Sequence, residues 1–143
     1  MKSKLVLRKR KDSEPPAVIA ELGWRYHHLG IPTSVPHPGE RYIKHLKIYV
    51  AGFETSPYGI EWMRFDPDCP VSELVRTVPH VAFEVDDLDS ALIGKEVIGA
   101  PGSPSTGVRA AMIVHNGTPV ELIEFRKKKN SRQRTQRTKY KRG

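Results

Sequence analysis

Val78-Pro79-His80-Val81-Ala82-Phe83-Glu84-Val85-Asp86-Asp87-Leu88 is the stretch whose reading decides the fold. Val81, Phe83 and Val85 alternate with His80, Ala82 and Glu84, the period of a strand whose two faces differ. Asp86-Asp87 then offers a helix N-cap, and Leu88, Ala91 and Leu92 form a short apolar stripe at i, i+3, i+4. The helix is expected to fold back onto the face of Val81, Phe83 and Val85. His80 is left on the opposite face beside a small alanine, with room for something to approach it.

The stretch has an echo earlier in the chain. His28-Leu29-Gly30-Ile31 repeats the order His, apolar, small, apolar of His80-Val81-Ala82-Phe83. Ile60-Glu61-Trp62-Met63-Arg64-Phe65 likewise pairs with Val120-Glu121-Leu122-Ile123-Glu124-Phe125. Each half carries a His on its first strand and a Glu on its last, 33 and 41 residues apart. Two short echoes in the same order imply duplication.

The final hairpin yields a register. Asn116-Gly117 between two apolar runs is the signal of a two-residue type I′ turn. Facing positions then sum to 233, so that Arg109 faces Glu124 as an expected cross-strand ion pair and Met112 faces Glu121. Glu121 shares its face with Met112, Val114, Ile123 and Phe125 and has no basic partner within its own hairpin. Leaving a carboxylate buried and unpaired costs several kcal/mol. A metal, a ligand or a group from the other half must satisfy it.

The rest of the chain sets the bounds. Its 143 residues suffice for one domain or two small modules with a real core. The single cysteine, Cys69, excludes an internal disulfide framework and fits a reducing, cytoplasmic setting. No apolar run approaches a membrane span, and Leu5-Val6-Leu7 is too short for a secretory core. The net charge of +8 divides unevenly: residues 1–11 hold six Lys/Arg, residues 126–143 hold ten, and neither holds an acid. The remaining eight basic residues stand against all 16 acids, so the middle is acidic. A segment of 1–23 and a disordered tail of 127–143 are expected to flank a domain over 24–126, with modules 24–66 and 78–126 joined by a linker at 67–77. The tails read as solubilising, with contact to a polyanion as the sharper alternative; no aromatic interleaving or nucleic-acid motif supports it.

Trp24 to Pro32 is the expected first strand, with Tyr26, His28 and Gly30 on one face and His27, Leu29 and Ile31 on the other. A turn-rich loop follows at Ser34 to Gly39, leaving room for little helix in the first half. Strands are expected over His45 to Phe53 and Ile60 to Phe65, a helical turn within Val71 to Thr77, and a short strand near Lys95 to Val97.

If the halves pair about a pseudo-twofold axis, His28, Glu61, His80 and Glu121 converge in one concave sheet. Two imidazoles and two carboxylates suit one divalent ion such as Zn²⁺, Ni²⁺, Co²⁺, Mn²⁺ or Fe²⁺. A lone histidine is usually structural, and Glu61 has Arg64 or a lysine of its own hairpin as an alternative partner. His27 competes with His28, but its expected face is the one against which a helix or partner should pack. His37, His45 and His115 lie in or near turns and have no echo.

These motifs resemble the vicinal oxygen chelate superfamily, which includes glyoxalase I, methylmalonyl-CoA epimerase, extradiol dioxygenases and bleomycin- or fosfomycin-resistance proteins. The resemblance covers roughly 24 to 126. It implies an α+β fold: two paired βαβββ modules forming a cup-shaped mixed sheet, the first module with a shortened or missing helix. The family's metal ligands would fall on His28, Glu61, His80 and Glu121, with Glu61 or Glu121 as catalytic base. Tyr26 and Glu84 share the cup-facing parity and become candidates for substrate or supporting contacts. The activity implied is a metal-dependent isomerase, epimerase or glyoxalase-type lyase acting on a small oxygenated metabolite through an enolate-like intermediate. A drug- or metabolite-binding protein without turnover is the second reading, and an extradiol-type dioxygenase using Fe²⁺ and O₂ the third. The expected partners are a small-molecule substrate and a second copy of the chain.

Overall fold

The computed structural model describes Ser13 and residues 17–126; the expected basic segment at the start of the chain and the tail of 127–143 lie largely or wholly outside the described residues. The strands are β1 (Arg25–Pro32), β2 (Arg41–Ile43), β3 (Ile48–Ala51), β4 (Ile60–Phe65), β5 (His80–Glu84), β6 (Glu96–Gly102), β7 (Val108–His115) and β8 (Thr118–Phe125). Three short helices are described: α1 (Ala17–Leu22), α2 (Glu73–Thr77) and α3 (Leu88–Ala91). No helix among the described residues is long and apolar enough to cross a membrane.

The strands form one mixed sheet in the order β2-β3-β4-β1-β5-β8-β7-β6, curled into a half-barrel. Reading outward from the centre, the first half runs β1, β4, β3, β2 and the second β5, β8, β7, β6. In each half the first strand pairs parallel with the last, and the remaining pairs are antiparallel. The halves meet at the antiparallel β1–β5 pair. This is the cup of two related modules, and it puts both His-bearing strands at the centre with a Glu-bearing strand on either side.

The second half follows the expected plan. Asp87 caps α3 by accepting from Ser90 N at 3.3 Å, and Leu88 is fully buried. Leu88 packs with Val85, Ala111, Ile113 and Leu122 on the outer face of the sheet, joined by Trp24 and Phe83. Burying a leucine completely is worth about 1.5–3 kcal/mol, so this one-turn helix is held by packing rather than by its own length. The β7–β8 register agrees with the turn reading: Arg109 faces Glu124 and Met112 faces Glu121. The ion pair does not follow from it. Arg109 reaches Asp89 at 3.1 Å, while Glu124 Oε1 accepts the free Leu88 N–H of the α3 first turn at 2.8 Å. A helix terminus competed for the carboxylate and took it.

The first half lacks the equivalent helix. Its outer face is covered instead by the loop after β1: His37 stacks on Trp62 at 4.8 Å, and Glu40 binds Arg64 through two hydrogen bonds of 2.7 and 2.9 Å. The Arg64 guanidinium in turn lies 4.0 Å above the Tyr49 ring. The apolar cluster of this half, Ile48, Val50 and Met63, faces the inside of the cup. The expected strand over His45 to Phe53 is shorter, because β2 and a turn with Lys47 at φ 56° precede it. Strand β6 runs past the expected Val97 to Gly102, accommodating its glycines through an irregularity between Ile98 and Gly102.

Both turn residues of the last hairpin have positive φ, 50° at Asn116 and 78° at Gly117. A Cβ at Gly117 would meet nothing within 4 Å. Gly117→Ala should therefore cost only the backbone preference, roughly 1 kcal/mol in urea unfolding, and leave any metal affinity unchanged.

Candidate metal centre

The centre is built by the β1–β5 register. Gly30 faces His80 and His28 faces Ala82, so each histidine stands opposite the small residue of the other half's motif. The need for a small residue is steric. A Cβ at Gly30 would lie 2.6 Å from His80 Nε2 and closer still to Cε1. The His80 ring occupies the space a side chain at Gly30 would fill.

The two rings come together edge-on, with centroids 5.6 Å apart. Both are buried, His28 with 6% and His80 with 1% of its surface exposed. Glu121 reaches between them from β8: its Oε1 is 3.3 Å from His28 Nε2 and 3.2 Å from His80 Nε2. One donor atom from each of these three residues lies within 4.8 Å of the others. Glu61 approaches from β4, its Oε1 3.7 Å from His28 Nε2, and stands outside that group of three. Arg64, one of the alternative partners expected for it, points to the outer face and binds Glu40 instead.

The donor set fits a divalent ion. With bonds near 2.1 Å, adjacent ligand atoms around an ion sit ~3–3.4 Å apart, which is the spacing of Glu121 from both imidazoles. Imidazole with carboxylate is the mixture that Zn²⁺, Ni²⁺, Co²⁺, Mn²⁺ and Fe²⁺ accept. The His28, His80 and Glu121 cluster could thus hold a metal, with Glu61 beside it and outside the group of three.

Protonation follows the same geometry. Burial alone would push the Glu121 carboxyl up, but hydrogen bonds and charge from His28 and His80 outweigh it and hold the group down at about 2. Burial likewise disfavours a charged His28, and the Glu121 hydrogen bond with the charges of Glu121 and Glu61 overcomes this, leaving its pKa raised. Glu61 is held more loosely: burial raises its pKa, the His28 charge pulls it back in part, and the Glu121 charge adds to the rise against lesser pulls from His80 and Arg41, leaving it raised.

Two expectations from strand parity change. The β1–β5 pairing slips by one residue between Tyr26 and His28, a bulge centred on His27. The bulge reverses the parity upstream of it. His27 therefore lines the cup beside His28 rather than packing behind the sheet. Tyr26 is carried out of the cup; its hydroxyl donates to the Tyr58 carbonyl at 2.7 Å, and the residue is largely exposed. Glu84 keeps the parity of His80 but sits at the end of its strand, bound to Arg25 at 3.2 Å. No local residue pattern marks the bulge, which arises only from how β1 pairs with β5.

A cavity of about 590 Å³ opens over the cluster. Its wall is chiefly apolar, including Val50, Met63, Met112, Ile123 and Phe125, with exposed Arg41 and Lys44 also lining it. His45 Nε2 lies 3.2 Å from the Ser103 carbonyl, joining the turn after β2 to the loop after β6.

In fold, the chain is similar to methylmalonyl-CoA epimerase of Mycobacterium tuberculosis. The two share 20% identity at a TM-score of 0.50, over 70% of this chain and 87% of that one. A hypothetical protein of Bacillus halodurans is also similar, with a TM-score of 0.55 and 16% identity over 71% of this chain and 94% of that one. No protein-family model matches the sequence, and no curated protein matches it. The likeness supports the cup architecture expected from the vicinal oxygen chelate resemblance.

Two outcomes follow. Gly30→Ala should displace the His80 ring and weaken divalent-ion binding at least tenfold in titration calorimetry, with the sheet retained by circular dichroism. In metal-free protein, the stabilisation from a raised His28 pKa is complete below its unfolded value of ~6.5 and fades as pH rises through the folded value. That from the depressed Glu121 is present above ~4.5 and fades as pH falls toward 2. Thermal melting should therefore show a decline on the alkaline side of ~6.5 that is absent in His28→Asn.

Proposed function

We propose that this protein is a metal-dependent isomerase, epimerase or glyoxalase-type lyase of the vicinal oxygen chelate superfamily, acting on a small oxygenated metabolite. The observation that carries this reading is the unequal placing of the two carboxylates. Glu121 is engaged by both imidazoles, while Glu61 stands beside them in the same apolar-walled cavity without joining their group. A carboxylate so firmly held ionised is a weak base, and a ligand role suits Glu121. Glu61, partly buried and with its pKa raised, suits proton transfer.

A bound divalent ion would supply Lewis acidity toward two neighbouring substrate oxygens, easing loss of a proton from the adjacent carbon. His28, His80 and Glu121 hold the site. Glu61 takes the proton at a carboxylate oxygen and returns it at the carbon that fixes the product. The apolar wall admits the substrate's hydrocarbon part, and Arg41 and Lys44 line the same cavity where a polar or anionic end could lie.

Protein purified without a histidine tag should carry about one divalent ion per chain, lost in His80→Ala and Glu121→Ala. Incubated in D₂O with a panel of small 2-hydroxy and 2-oxo carbonyl compounds, it should exchange the hydrogen next to the carbonyl. Glu61→Gln should retain the ion and lose the exchange at least 100-fold. Tight binding of a panel compound with no exchange would instead identify a binding protein of this fold, and full metal retention in both ligand variants would remove the site.

A further inference from the structure

One neighbour of the centre has no part in that scheme. The β1 bulge brings His27 into the cup, with its Nδ1 2.8 Å from the Nδ1 of His28. Its ring is fixed from both halves of the fold. It stacks on Phe53 of the β3–β4 loop at 5.0 Å and 20°, and lies 5.2 Å from Phe125 of β8. His27 is half-buried and lines the cavity.

Two facing ring nitrogens at that distance can bond only if they share one proton. If His28 is to ligate an ion, the nitrogen near Glu121 and His80 is Nε2, which must be bare. The proton of neutral His28 then sits on Nδ1, so His27 must present an unprotonated Nδ1 to accept it. We infer that His27 is a positioning residue, which accepts the Nδ1–H of His28 and so holds that ring, in the ligating tautomer, aimed at the ion. The inference rests on the metal-site reading above. A ligating histidine commonly gives its second N–H to such an acceptor, which fixes both ring angle and tautomer.

The other half achieves the same end differently. Pro79 precedes His80 and has no polar side chain to accept from it, and His80 Nδ1 is buried without a hydrogen-bond partner among the described residues. Close contact with the Gly30 backbone holds that ring instead. The two imidazoles are thus oriented by different means, one by a hydrogen bond and one by steric fit.

The test compares two replacements in the full-length chain, read by Zn²⁺ affinity in competition titration and by the melting temperature of the metal-free protein. His27→Phe keeps an aromatic ring on Phe53 but removes the acceptor. His27→Asn loses the stack but returns an acceptor oxygen near the position of Nδ1. A positioning role predicts that the Phe variant binds Zn²⁺ roughly 10- to 100-fold more weakly, while the Asn variant stays within about threefold of the parent. A purely packing role predicts the reverse order. Should the Phe variant not fold, His27→Leu serves as the acceptor-free member. Equal Zn²⁺ affinity in the parent and the acceptor-free variant would overturn the inference and leave the metal site standing. A parent chain that binds no divalent ion would remove both.

Discussion

The register of the central antiparallel pair is the constraint on which the rest depends. Across β1 and β5, His28 lies opposite Ala82 and His80 opposite Gly30. Any larger residue at Gly30 would collide with an imidazole that is already fully buried. A slip of one residue in either strand would turn that strand's histidine to the other face and put an apolar side chain in the hollow in its place. The repeated order of histidine, apolar residue and small residue is therefore a packing rule between the two halves as well as a chemical one within each.

The charge arrangement reinforces that pairing. Glu121 sits among Met112, Ile123 and other apolar groups, where an unpartnered carboxylate would be destabilising by several kcal/mol. Its partners come from β5 in its own half and from β1 in the other. The same carboxylate thus ties the two halves together. Glu61 is left less well satisfied, and the proposed division into a holding and a proton-transferring carboxylate rests on that contrast.

The halves share a plan and diverge in what covers them. The second buries Leu88 and Leu122 beneath a one-turn helix. The first has a turn-rich loop and an outer face of Trp62, Arg64 and Tyr49, stabilised by stacking and a bidentate ion pair. Inside the cup the first half supplies aliphatic wall at Ile48, Val50 and Met63. The two halves share a topology, while each shields its outer surface in its own way.

The local patterns of the chain determined a good deal on their own. Alternation identified β1, β4, β5 and the last hairpin, because a strand with two unlike faces writes its period into the residues. Asn116-Gly117 determined the register of β7 against β8, because few residue pairs tolerate two successive positive φ angles. The His and Glu echoes indicated which four side chains to look for. Tertiary structure alone decided what depends on partners distant in sequence. The bulge at His27 arises from how β1 meets β5, so strict alternation misplaced both His27 and Tyr26. Arg109 and Glu124 face each other as expected, yet a helix N–H and Asp89 claimed them, since a side chain near several partners binds the one its surroundings present best. The unequal standing of Glu61 and Glu121 likewise has no trace in their matching sequence positions, because it is created by where two imidazoles come to rest.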